Sequence, residues 1–345
     1  TRSAPTSGTT SSSAAEAVVH AFLQRLLYMA LTLWLVSVVA YVVIQLPPGD
    51  YAEAYVTAKQ QSGAAIGEEE VQNMRRMLGL DRPWYLQYLD WAGGILLRGD
   101  FGYSFEWRRP VAEVIGERLP LTLALAACTL VFMYAVALPI GIYSAVRQYS
   151  MTDHAFSLIG YIGLATPNFL LALVFMYLGQ QWYGQSVGGL FSPQFVEAPW
   201  SWARFRDLLA HLWIPVVVLG TAGTANLIRS MRALMLDELG KMYVVAGRAA
   251  GLSPMRLLLK YPVRMALNPI VATLGWRLTF VISGAPIIGV VMALPDTGPL
   301  FLHALLNQDM QLAGAMVFIY CALTILGTFV SDLLLVLVDP RVKLA

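Results

Sequence analysis

Residues 119–146 read LPLTLALAACTLVFMYAVALPIGIYSAV, 28 consecutive positions without an Asp, Glu, Lys or Arg. A helix rises about 1.5 Å per residue and a bilayer core is about 30 Å thick, so roughly 20 apolar residues cross it. Five further stretches meet that length: 22–46, 155–182, 208–228, 268–294 and 311–338. The chain therefore reads as an all-α membrane protein with six transmembrane helices. Composition agrees with this reading. Of 345 residues, 57% are hydrophobic and 13% charged, against about 25% charged in an ordinary soluble domain, and the mean hydropathy is +0.61.

The same composition removes several function classes. The net charge is +2 and no basic run suggests a nucleic-acid binder. Cys128 and Cys321 both fall inside apolar stretches and read as buried packing thiols rather than a disulfide. The histidines His20, His154, His211 and His303 lack metal-ligand spacing. No clustered carboxylates or activated nucleophile point to an embedded enzyme, and no GxxxxGK[ST] loop is present to cradle ATP phosphates. Residues 1–21 open on Ser, Thr, Ala and Gly and read as a disordered cytoplasmic tail, without the basic start and short apolar centre of a cleaved signal.

Lys and Arg in the short connections set the orientation. The connection 229–267 carries Arg229, Arg232, Lys241, Arg248, Arg256, Lys260 and Arg264, and Arg147, Arg341 and Lys343 fall on the same side. The connection after the fifth span holds Asp296 and Asp309. Arg204 and Arg206 run against the trend, but the balance places both termini and 229–267 in the cytoplasm. Residues 47–118 then form an extended extracytoplasmic region. In it, Glu68, Glu69 and Glu70 precede Arg75 and Arg76, an order that suits a helix dipole and predicts a short surface helix. The three glutamates read either as a solvated face or as a lip for an external partner.

Inside 229–267 a run of small residues ends at Gly251, a natural helix C-terminus because glycine accepts positive φ. Ser253 then caps a second helix whose first position is Pro254, where a missing N–H costs nothing. The pattern predicts helix, tight turn, helix. Two roles fit its small residues: a knob entering a cleft on another protein, or tight packing within one bundle. Breaks also recur in the spans, at Thr166-Pro167-Asn168 and at Pro139, Pro215 and Pro286. These suit either packing kinks or a lined path.

Taken in order, Leu46-Pro47-Pro48-Gly49-Asp50, Leu78-Gly79-Leu80-Asp81-Arg82-Pro83, Gly99-Asp100-Phe101-Gly102, Arg118-Leu119-Pro120-Leu121-Thr122, Asp153, Thr166-Pro167-Asn168-Phe169, His211-Leu212-Trp213-Ile214-Pro215, Arg229, Arg232 and Asp339-Pro340-Arg341 resemble the first permease subunit of dipeptide/oligopeptide ABC importers. The resemblance implies a type I importer permease fold in a bacterial inner membrane. It makes Val245, Ala246, Gly247, Arg248, Ala249, Ala250, Gly251, Leu252, Ser253 and Pro254 a coupling helix that docks on an ATPase subunit. It also implies a heterodimer with a second homologous permease, two ATPase subunits holding ATP and magnesium, an extracytoplasmic binding protein, and no cofactor on this chain.

Two departures from the family stand out. Gly247 and Ala250 replace the usual Ala and Lys. Residues 289–298 lack the Glu and the Pro-Gly-Leu-Gly turn that relatives carry near the outer end of span five. Peptide is the expected substrate, with oligosaccharide, opine or nickel as alternatives in the same family. A secondary transporter or membrane assembly factor is the alternative outside it. Thr166, Pro167, Asn168, Arg277, Pro286 and Met292 are the candidates for the translocation path. Arg277, read as about 12 Å into span five, either lines that path or extends its side chain to the cytoplasmic interface.

Overall fold

The computed structural model describes residues 10–45, 56, 68–77, 81–104, 106–184, 188–196, 198–307 and 309–338. The motif residues 46–50, 78–80 and 339–341, and Lys343, lie outside these. Helix α1 covers Thr10–Gln45, so the expected disordered tail over 1–21 is corrected for residues 10–21. Once an apolar span has nucleated a helix, each added residue gains a hydrogen bond, and Ala14, Ala15 and Ala17 extend it without penalty.

The segment between the first two spans contains α2 (Glu68–Met77) and α3 (Trp84–Arg98). The acidic-then-basic order predicted the first of these. A two-residue ribbon follows, β1 (Tyr103–Ser104) antiparallel to β2 (Arg109–Pro110), and α4 (Val111–Gly116) leads into α5 (Leu119–Val146). α3 is fastened to α1 where the Tyr88 hydroxyl meets Ser37 Oγ at 2.8 Å, with Trp91 edge-on to Phe318, ring centres 6.0 Å apart.

The third span departs most from its expected form. Residues 155–182 do not form one straight helix: α6 (Met151–Ala165) and α7 (Asn168–Tyr183) meet at a 106° bend. Pro167 disfavours helical geometry at the preceding residue, and Thr166 is extended at φ −84, ψ 122. Each limb is about 22–24 Å long, short of a bilayer core by itself.

Helix α8 (Trp202–Leu239) is longer than the expected 208–228 and carries Arg229 and Arg232 on its last turns rather than in a loop. It forms the centre with α5: Leu125 and Ala137 pack with Leu219, Leu227, Met231 and Met235, all buried. Close approach depends on missing side chains, since a methyl group on Gly141 would stand 2.7 Å from Met231 Cβ.

The short helices α9 (Met242–Ala249) and α10 (Pro254–Lys260) are followed by α11 (Pro262–Ala272) and α12 (Leu274–Val291). The expected span 268–294 is thus interrupted at Thr273. Last come α13 (Thr297–Leu306) and α14 (Met310–Val338), the latter as predicted to within a residue at its start. α12 crosses α14 with Gly275 against the backbone of Gly327 and Thr328, where no β-carbon fits. Among the described residues, five helices are long and apolar enough to span, and six spans result if the bent pair counts as one.

The reading of both cysteines as buried is also corrected. Cys128 is exposed and Cys321 partly so, and both are free. An apolar helix face can meet lipid instead of protein, so an apolar run does not by itself imply a packed interior.

Candidate functional site

The predicted bend forms with a defined closure. The Leu252 N–H donates to the Gly247 carbonyl at 3.2 Å and the Gly251 N–H to the Arg248 carbonyl at 3.0 Å. That pair of bonds is the Schellman ending of α9, and Gly251 takes the left-handed position at φ +77. Ser253 precedes α10 in extended geometry but its side chain makes no capping hydrogen bond, so the helix start rests on Pro254 alone.

The two roles considered for the small residues divide between positions. Gly247 faces inward: a β-carbon there would meet Leu257 Cδ1 at 2.5 Å and Leu252 Cδ1 at 3.5 Å, and Leu257 is buried. Val245, Ala246, Arg248, Ala249, Ala250 and Gly251 are exposed on the outside of the bend, with Pro254 and Met255 beyond it. The bend is therefore tight inside and smooth outside.

Its base is charged. Lys241 Nζ lies 3.1 Å from Asp237 Oδ2, and this hydrogen bond holds the ammonium above its usual range. Tyr243 donates to Glu238; burial, then that carboxylate, push its hydroxyl up. One turn further into α8, Arg232 grips Asp153 of α6 at 2.9 Å. α8 thus joins the bend to the first limb of the bent pair.

Thr166 closes the bend between α6 and α7 by donating its hydroxyl to the Ile162 carbonyl at 2.8 Å. Arg277 occupies the first turn of α12 beside the break, not the middle of a span. It is buried, its Nε donates to Thr273 Oγ1 at 3.2 Å, and the Tyr134 hydroxyl lies beside it. Thr273 Oγ1 and the Tyr134 hydroxyl both donate to the Ile270 carbonyl, at 2.9 and 3.3 Å, and Ser331 donates to the Val271 carbonyl. The break leaves helix carbonyls without their usual partners, and these side chains supply them. Pro286 is half-buried within α12, and Met292 is packed in the core with Ile288 and Leu294. Among the described residues, no hydrogen bond or ion pair joins Thr166–Asn168 to Arg277, so the path candidates are not gathered into one cluster.

The altered segment 289–298 still makes an ordered turn. The Leu294 N–H donates to the Gly289 carbonyl at 2.8 Å and the Ala293 N–H to the Val290 carbonyl at 3.2 Å. This is a second Schellman ending, with Ala293 at φ +50 where glycine is usual. Asp296 caps α13 by accepting the Gly298 N–H at 3.0 Å. A β-carbon on Gly289 would fall 2.7 Å from Asp296 Oδ1. A carboxylate therefore does occupy this place, supplied by residue 296 rather than from α12.

Two neighbouring networks were not legible in the sequence. Thr122 Oγ1 meets Thr297 Oγ1 at 2.9 Å, which in turn accepts from the Tyr320 hydroxyl at 2.9 Å. Ser104 of the ribbon donates to Asp309 before α14, and burial pushes that carboxyl up despite this bond. Pro-Asp-Thr-Gly before an apolar run signals an N-cap, but no pattern signals burial of the carboxylate.

Comparison with known proteins bears on the family and the fold. Residues 137–344 match the family model described as binding-protein-dependent transport system inner membrane component, and residues 18–126 match the model of its N-terminal part. The oligopeptide transport system permease protein AppB of Bacillus subtilis (strain 168) is 31% identical over 312 residues, 89% of this chain and 94% of the relative. The dipeptide transport system permease protein DppB of Escherichia coli (strain K12) is 29% identical over 324 residues, covering 89% and 94% respectively. Among solved structures, a chain of the inward-facing MetNI methionine ABC transporter aligns with a TM-score of 0.51 at 18% identity. That alignment covers 66% of this chain and 96% of the other, which bears on the fold alone.

Proposed function

This chain belongs to the family of binding-protein-dependent transport system inner membrane components, and from that membership we propose that it forms half of a translocation path for peptides, driven through the α9–α10 bend. It is a permease subunit of an ABC importer, and ATP hydrolysis belongs to separate ATPase subunits. Peptide cargo is supported by relatives named for oligopeptide and dipeptide transport along nine-tenths of their length.

One observation carries the coupling role. The outer surface of the bend presents small side chains on a turn closed by two backbone hydrogen bonds, at the end of a helix that runs unbroken through the bundle. Such a knob allows close backbone approach in a partner's groove and moves as one piece with α8. Closure of an ATPase dimer around it would tilt α8, and the Arg232–Asp153 pair would carry that motion to α6 and the Thr166-Pro167 bend. Differential contact in the two states is what shifts the bundle between outward-open and inward-open forms. In this reading both termini and the bend are cytoplasmic, 47–118 is extracytoplasmic, and ATP and magnesium are held by the ATPase chains.

The exposed apolar faces of α6 and α7, including Leu158, Ile159, Ile162, Phe169 and Leu173, suit lipid and a second, homologous permease. Thr166, Pro167 and Asn168 at the bend remain the best path candidates, with Pro286 and Met292 on the neighbouring span. A specific feature supports importers of other small polar solutes as the second reading: the outer turn carries Gly289 and Asp296 where peptide permeases often carry a Glu and a glycine-rich turn.

The experiment is purification of the chain from its native membrane. A second permease, ATPase chains and a binding protein should accompany it, and a cysteine placed at Ala249 should crosslink to an ATPase chain. Mass spectrometry of the solute retained by that binding protein reads the cargo. A chain that purifies alone and transports without ATP would overturn the proposal.

A further inference from the structure

Asp296 has no exposed surface. Thr297, Gly298 and Leu300, which follow it in α13, are also buried. α12 presents the bare backbone of Gly289, and α13 presents the Gly298 N–H and the Pro299 ring, whose Cδ would also lie 2.7 Å from a β-carbon on Gly289. Arg118, just before α5, is the cation acting on it, without a hydrogen bond to it among the described residues. From α14, Tyr320 faces the site through its hydroxyl on Thr297 Oγ1. Oδ1 accepts the Gly298 N–H, while Oδ2 has no partner among the described residues.

An ionised carboxylate with one oxygen unpaired is the expensive form in such a pocket, and the neutral acid is the tolerated one. We propose that Asp296 Oδ2 is a proton-binding site, that the closed turn between α12 and α13 is its protonated conformation, and that opening of the turn releases the proton to water. The reaction is a protonation alone: the O–H bond formed at Oδ2 breaks when water reaches the carboxylate.

The direction of the pH effect follows. Burial pushes the Asp296 carboxyl up to about 6, partly opposed by the Gly298 N–H and Arg118. A solvated aspartate ionises near pH 4. The closed turn is therefore fully favoured below about pH 4 and loses that advantage as pH rises through about 6. Each unit of separation is tenfold, so the closed-to-open ratio falls roughly a hundredfold across the window. Acid therefore holds the turn shut more firmly than neutral pH does. The import reading enters only in the uptake assay of the test.

The test uses the complete importer in lipid. Infrared spectra of the wild type should show the C=O stretch of a protonated acid that disappears with a midpoint near pH 6. Uptake by the wild type should be inhibited by acid in the same window, and Asp296→Asn, neutral at every pH, should lack both the band and that inhibition. Gly289→Ala, which displaces the carboxylate, should move the midpoint at least tenfold in proton concentration toward that of a solvated acid. A band and pH response that persist in Asp296→Asn would overturn the proposal, as would a midpoint unmoved by Gly289→Ala. The titration is spectroscopic, so it stands or falls separately from whether the cargo is a peptide.

Discussion

Arg232 and Asp153 are 79 residues apart in sequence, yet they meet in a two-pronged ion pair, with Nε to Oδ1 at 3.1 Å and Nη2 to Oδ2 at 2.9 Å. Asp153 also accepts the Tyr149 N–H at 3.0 Å, which fixes the start of α6. The pair links the helix that ends at the cytoplasmic bend to the limb that enters the 106° break. A planar fork matched to a carboxylate transmits orientation as well as position, which a single lysine contact does not.

Arg232→Ala should cost about 2 kcal/mol, because the buried aspartate loses its main partner but keeps the Tyr149 N–H, and water can enter the space left by a partly exposed arginine. Arg232→Lys should keep most of that stability. Both should weaken stimulation of the ATPase by cargo. Thermal unfolding and ATPase assays on the assembled importer separate the two effects; full stimulation in Arg232→Ala would remove the pair from the coupling route.

The bend allows stability and docking to be separated. Gly251 has open space around it but φ +77, so Gly251→Ala should cost about 1 kcal/mol through the backbone alone. Ala249 is exposed on the outside, so Ala249→Trp should leave the chain's melting temperature unchanged and abolish uptake by blocking the groove. Normal transport in the tryptophan variant would show that this face docks on nothing.

Ala293 holds a left-handed position that glycine occupies without strain. Ala293→Gly should raise stability by about 1 kcal/mol, since the native strain outweighs the added freedom of the unfolded chain. A fall in melting temperature would mean that the Ala293 methyl group makes packing contacts worth more than its backbone strain.

Arg277 braces the break at Thr273 and stands a single turn into its helix. Arg277→Gln should lower thermal stability by about 1 kcal/mol and leave the apparent affinity for cargo unchanged. A changed cargo preference with unchanged stability would return this residue to the translocation path.

The candidate site was legible to different depths. The bend could be read from Gly251 and Pro254, because positive φ and a missing N–H are properties of single residues. That Gly247 faces inward could not, since it depends on Leu257 returning from the next helix. Thr166-Pro167 announced a break, but its 106° is set by what the two limbs pack against. Residues 289–291 show no Glu in the last turn of α12, whereas in space Asp296 from the turn that follows fills the gap that Gly289 leaves.

The number of apolar runs, their lengths and the asymmetry of basic residues determined a multi-span membrane protein with a bent, basic connection, because lipid imposes its thickness and polarity on each segment separately. Tertiary structure alone decided how sharply the third span bends, which carboxylates are buried, and which of them meet an arginine. Those outcomes depend on distance between residues remote in sequence, and a buried charge is tolerated only where another element brings it a partner.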